Sequence, residues 1–109
     1  MTSTSLTLDT AHRNDGKLVL IAAGEIDLSN IEAFDHALST ATTEAGGNGV
    51  TLTVDLSAVE YLDSAAINAL FSRADHIDLI AHPILMPILA ISGLSELVTI
   101  ESAPPTAAH

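Results

Sequence analysis

A chain of 109 residues with 14 acidic against 3 basic side chains, for a formal net charge of −11, fits one domain and leaves no room for a second. Such a surface repels phosphate backbones and anionic lipid, whose binding depends on Lys and Arg, so neither nucleic acid nor a membrane is an expected partner. The lack of Cys excludes disulfides, thiolate nucleophiles and CxxC zinc sites, and 48% hydrophobic residues with only 3% aromatic dictate a core of Leu, Ile, Val and Ala.

Leu6 and Leu8 alternate with polar residues, Asn14-Asp15-Gly16 offers a turn, and Leu18 to Ala23 is an apolar run. This pattern predicts an antiparallel hairpin whose second strand ends at Gly24. Ser29 and Glu32 have capping-box spacing, and Ile31, Phe34, Leu38 and Ala41 follow at helical intervals until Gly46-Gly47-Asn48-Gly49 breaks the pattern. Val50, Leu52, Val54 and Leu56 alternate with polar residues as a strand does, and a short connection follows. Asp63 is the expected N-cap of a helix carrying Ile67, Leu70, Phe71 and Ala74, which places Ser64 in its first turn. A strand over Ile77–Ala81, a helix over Pro83–Ser92 stopped by Gly93, and a strand over Val98–Glu101 complete the order. Pro87 is costly inside a helix unless it occupies the first turn, so this last helix is expected to start late or kink.

Strands alternating with helices define an α/β class with a mixed, mostly parallel sheet and an N-terminal β-hairpin. Residues 1–4 are expected to be flexible, 5–101 to form the single domain, and 102–109 to be a flexible tail. The first residues lack the basic start and apolar stretch of a signal peptide. Leu79 to Leu94 is interrupted by His82, Pro83 and Pro87 and is too short to span a bilayer. The expected location is the cytoplasm.

Catalytic signatures are missing: no GxSxG, HExxH, phosphate loop or dinucleotide fingerprint occurs. The glycine run at 46–49 follows a helix and enters a strand, the reverse of a phosphate loop. His76 and His82 bracket a strand without ligand spacing, so neither a metal nor a cofactor is expected. Asp27, Asp55 and Asp63 fall near element ends where a sheet's loops gather, either as a carboxylate cluster or as ordinary caps. Pro83 to Ile91 has almost no polar face, which points to a contact surface, for a homodimer or another partner.

Four segments in order, Gly24-Glu-Ile-Asp-Leu28, Val54-Asp-Leu-Ser57, Tyr61-Leu-Asp-Ser-Ala-Ala-Ile67 and Ser92-Gly-Leu94, resemble the STAS domain of anti-sigma factor antagonists over about residues 5 to 101. The resemblance implies a STAS-like sheet with helices packed chiefly on one face, and a non-enzymatic bacterial regulator of transcription in stress responses. It further implies that the unphosphorylated form binds an anti-sigma factor that is also a serine kinase, releasing a sigma factor. Phosphorylation of Ser64 would end binding and a serine phosphatase would restore it, with Asp27, Asp63, Ser64, Ala65 and Asn68 at the partner surface. Where the family pattern reads Asp-Ser-Ser-Gly, this chain has Asp63-Ser64-Ala65-Ala66, and the stretch from Ser64 to Gly93 is shorter than in the family. An alternative within the same resemblance is a constitutive STAS subunit that docks on a transporter ATPase without phosphorylation.

Overall fold

The opening hairpin forms where the alternation of Leu6 and Leu8 places it. In the computed structural model, which describes residues 5–13, 16–47 and 51–103, β1 (Leu6–His12) pairs antiparallel with β2 (Leu18–Ile26), Leu8 lying opposite Ala22. At the turn between them the Gly16 N–H donates to the Arg13 carbonyl at 2.9 Å; Asn14 and Asp15 lie outside the described residues. There follow α1 (Ile31–Gly47), β3 (Leu52–Leu62), α2 (Ser64–Phe71), β4 (Ile77–Ala81), α3 (Met86–Ser92) and β5 (Ile100–Ser102). Short 3₁₀ turns at Ala74–His76, Pro83–Leu85 and Leu94–Glu96 fill the remaining connections.

The strands lie in the order β1-β2-β3-β4-β5, and every pair after the first is parallel. Each crossover therefore advances one strand in the same direction, and right-handed connections of that kind put α1, α2 and α3 on one face of the sheet. Alternate residues meet that layer. Leu20 of β2, Val54 of β3 and Leu79 of β4 share one register line across the sheet. They are buried in one cluster with Phe34 and Leu38 of α1, Leu70 of α2 and Leu89 of α3.

Several boundaries differ from the expectation, each for a local reason. Gly24 does not end β2. It sits inside the strand at φ +113, where a Cβ would overlap the Ser5 carbonyl oxygen. The supposed connection after Leu56 is the second half of β3. Two register shifts against β2 insert extra residues in β3, so the buried positions step from Leu56 to Val59 to Leu62 by threes. Ala74 belongs to a 3₁₀ turn beyond α2, because the helix ends at Phe71. The final strand is shifted along the chain: Val98 is buried beneath the sheet, β5 runs to Ser102, and the Ala103 N–H donates to the Ala81 carbonyl at 2.8 Å. Pro87 resolves as expected, since α3 starts at Met86 and places it in the first turn. Gly93 at φ +87 caps the other end in the left-handed conformation.

Candidate functional site

Because β2 and β3 are parallel neighbours, the segments leaving their C-terminal ends emerge side by side. One is the loop Asp27-Leu28-Ser29-Asn30 and the other is the Asp63-Ser64 junction. The Asp63 backbone N–H donates to the Ile26 carbonyl at 3.2 Å, extending the sheet to its rim. The Asp63 side chain then does two things. Its Oδ1 accepts the Ala66 N–H at 3.1 Å, the N-cap bond of α2, and its Oδ2 accepts the Leu28 N–H at 3.0 Å. A single carboxylate thus fixes both the start of α2 and the neighbouring loop.

The loop is braced from within as well. Asn30 Oδ1 accepts the Asp27 N–H at 3.0 Å, and Asn30 Nδ2 donates to the Glu25 carbonyl at 2.9 Å. Asp27 Oδ1 accepts both the N–H and the hydroxyl of Ser29, at 2.9 and 2.6 Å. The hydroxyl of the expected capping serine therefore points back into the loop. These bonds leave the Leu28 side chain 77% exposed, with the exposed Tyr61 at the end of β3.

Ser64, the first residue of α2, is exposed, and its Oγ has no hydrogen-bond partner among the described residues. Asn68, one turn on, is also exposed and shares its side of the helix, while Ala65 is half-buried. Asp27, Asp63, Ser64, Ala65 and Asn68 thus fall within this one corner or the first turns of α2. Asp55 does not join them: it lies mid-strand in β3, where its Oδ1 accepts the Ser57 N–H and hydroxyl at 2.9 and 2.6 Å. His82 caps the Pro83–Leu85 turn, Nδ1 accepting the Ile84 N–H at 3.0 Å. Among the described residues no group of three or more His, Asp or Glu could hold a metal ion. No helix among them is long and apolar enough to cross a membrane. A groove of about 350 Å³ between β1 and α1, lined by Leu8, Thr10, Leu20, His36 and Thr40 among others, contains none of the corner residues.

Charge at the corner has one sign. Glu25 and Glu60 are exposed near Asp27 and Asp63, whereas Arg13 and Lys17 flank the β1–β2 turn at the other end of the sheet. The third cation, Arg73, lies past the end of α2 and pairs with Asp35 at 2.8 Å. Leu28, Tyr61 and Asn30 were not singled out from the sequence. A lone Leu inside a polar loop was the available signal for the first, because apolar side chains in such loops have no core to enter.

The chain belongs to the Mlab STAS-domain family, whose model matches residues 10–99. Its fold is that of solved anti-sigma factor antagonists. It superposes on one from Mycobacterium paratuberculosis with a TM-score of 0.80 at 23% identity, covering 91% of this chain and 87% of the other. The unphosphorylated form of the antagonist SpoIIAA gives 0.68 at 17% identity, covering 91% and 90%. A putative antagonist from Thermotoga maritima gives 0.68 at 18%, covering 88% and 86%. No curated protein matches the chain at a significant level.

Proposed function

We propose that this protein is an anti-sigma factor antagonist and a binding module, not an enzyme. In its unphosphorylated form it binds an anti-sigma factor that is also a serine kinase, and so releases a sigma factor. Phosphorylation of Ser64 ends the binding, and a serine phosphatase resets it. The observation that carries this reading is Ser64 itself, exposed at the head of α2 and joined through Asp63 to the loop that displays Leu28. Family membership and the fold likeness to antagonists support it.

The chemistry is a transfer supplied by the partner. Ser64 Oγ attacks the γ-phosphorus of the kinase's ATP, the O–P bond forms as the bond to the ADP oxygen breaks, and the serine proton passes to a base on the kinase. The product adds about −1.5 to −2 charges beside Asp63. All three Lys and Arg of the chain lie away from the corner, so that charge faces the partner instead of an internal cation. Unmodified, the corner offers an apolar Leu28 ringed by carboxylates, which suits a partner surface that is apolar at its centre and basic at its rim.

The test is calorimetric titration of the anti-sigma kinase from the source organism with wild type, Ser64→Ala and Ser64→Glu. Ser64→Ala should bind within about threefold of wild type, since Ala is well tolerated in a first helical turn. Ser64→Glu should bind at least about 30-fold more weakly, because a second carboxylate beside Asp63 adds repulsion and desolvation at the contact. Equal affinities, together with no phosphate on Ser64 by mass spectrometry after incubation with kinase and ATP, would sink the switch. The constitutive subunit of a transporter ATPase, docked through the same corner, would then take its place.

A further inference from the structure

We propose that the outer face of α3 is a self-association surface on which two copies of this chain pair about a twofold axis. Ile88 and Ile91 of α3, with Ile84 of the Pro83–Leu85 turn that leads into it, are spaced by three and four residues and are 40%, 86% and 61% exposed. Leu85 and Leu89, interleaved with them, are buried in the core, so the exposed stripe is what remains after α3 has docked on the sheet. Pro83, Pro87 and Ala90 are exposed around it, and Leu97, beyond the Leu94–Glu96 turn, is 60% exposed.

Charge decides what covers this stripe. From Leu79 to Ser95 the sequence runs 17 residues without an Asp, Glu, Lys or Arg, in a chain whose net charge is −11. A basic partner gains nothing on a surface that holds no carboxylate. A second copy, by contrast, is repelled by carboxylates over most of the molecule, and the stretch that carries the stripe contributes none of them. The same uncharged patch on both partners is what a twofold, isologous contact requires. The three isoleucines expose apolar area on the order of 300 Å² per protomer, under half of the roughly 800 Å² a standard interface takes from each partner. The two prolines and Ala90 extend it.

The stripe is also held ready. His82 caps the turn that begins it, Pro87 occupies the first turn of α3, and Gly93 closes the helix, so little backbone order is lost on pairing. Pairing through the neighbouring sheet edge is poorly provided for, since β5 is only three residues long and carries the exposed Glu101. In strand order α3 bridges β4 and β5, whereas the Ser64 corner stands over β2 and β3.

Sedimentation velocity of the full chain, from about 1 μM to about 1 mM, tests this, because a dimer is populated by mass action. Wild type should shift to twice the monomer mass as concentration rises. Ile88→Glu and Ile91→Gln should each weaken the association at least about tenfold while keeping the wild-type circular dichroism spectrum. Ile91→Gln is the safeguard for folding, since the side chain it replaces contributes little to the monomer core. A wild type that stays monomeric at about 1 mM, or a dimer equally strong in both variants, would overturn the proposal.

Discussion

The Ser64 corner and the α3 stripe are both exposed, yet they are built from opposite materials. At the corner, backbone N–H groups are satisfied by the side chains of Asp27, Asn30 and Asp63, and one large apolar residue, Leu28, stands among carboxylates. On α3 the exposed residues are Ile and Pro, and no ionisable side chain intervenes between His82 and Glu96. A surface of the first kind can be switched, because added negative charge meets charge already there. A surface of the second kind offers a phosphoryl group nothing to oppose. The contrast teaches that one small sheet can expose a polar, charged corner and an uncharged apolar stripe side by side, each supplied by a different connection between strands.

The sharpest way to break the contrast is to remove the carboxylate on which the corner hangs. Asp63→Ala loses the α2 N-cap and the charge-assisted bond to the Leu28 N–H together, an expected cost of about 2–4 kcal/mol. For a domain of this size that lowers the melting temperature by about 10–20 °C. Asp63→Asn keeps an acceptor oxygen and should lose only about 1 kcal/mol. Thermal melts of the two variants side by side make the check. An Asp63→Ala protein as stable as wild type would mean that the corner does not depend on this residue.

Much of this was legible in the residues. Asp63 before an amphipathic run marks a helix start, and that rule places Ser64 correctly because N-cap chemistry is local. The hairpin follows the alternation of Leu6 and Leu8 and the apolar run Leu18 to Ala23 on either side of a turn, and Ile77–Ala81 is a short apolar run of strand length. The failures lie where local rules are overridden. Two register shifts break the alternation in β3, so Val59 and Leu62 do not read as strand residues although both are buried. Gly24 reads as a stop, but its left-handed φ serves a close approach to Ser5 that only the folded sheet creates. The exposure of Leu28 is likewise a tertiary fact: the bond from its N–H crosses 35 residues to Asp63, and no spacing rule reaches that far.

A smaller effect sharpens the same comparison. Asn30→Ala removes the acceptor of the Asp27 N–H and the donor to the Glu25 carbonyl, at an expected cost of about 1–2 kcal/mol. Both groups are near solvent, so water recovers part of the loss. The more telling readout is local. Hydrogen exchange at the Asp27 and Leu28 amides should speed up while amides of β4 keep their protection, because the loop can open without unfolding the sheet. Uniform loss of protection across the sheet would show that loop and core open as one unit.

The smallest expected effect belongs to the stripe. Ile91 is 86% exposed, so Ile91→Gln surrenders almost no buried apolar area, and Gln is slightly the better helix former. The monomer should change in stability by no more than about 0.5 kcal/mol, the usual range for surface positions. Concentration should nonetheless separate the two proteins. If copies pair through α3, only the folded chain is captured by association, so the wild-type melting temperature rises with protein concentration and that of Ile91→Gln rises less or not at all. At the lowest concentration the two melts should coincide. A variant that melts several degrees lower even there would place Ile91 in the monomer's own stability. The stripe would then resemble the corner, as a part of the fold, and the contrast between them would fail.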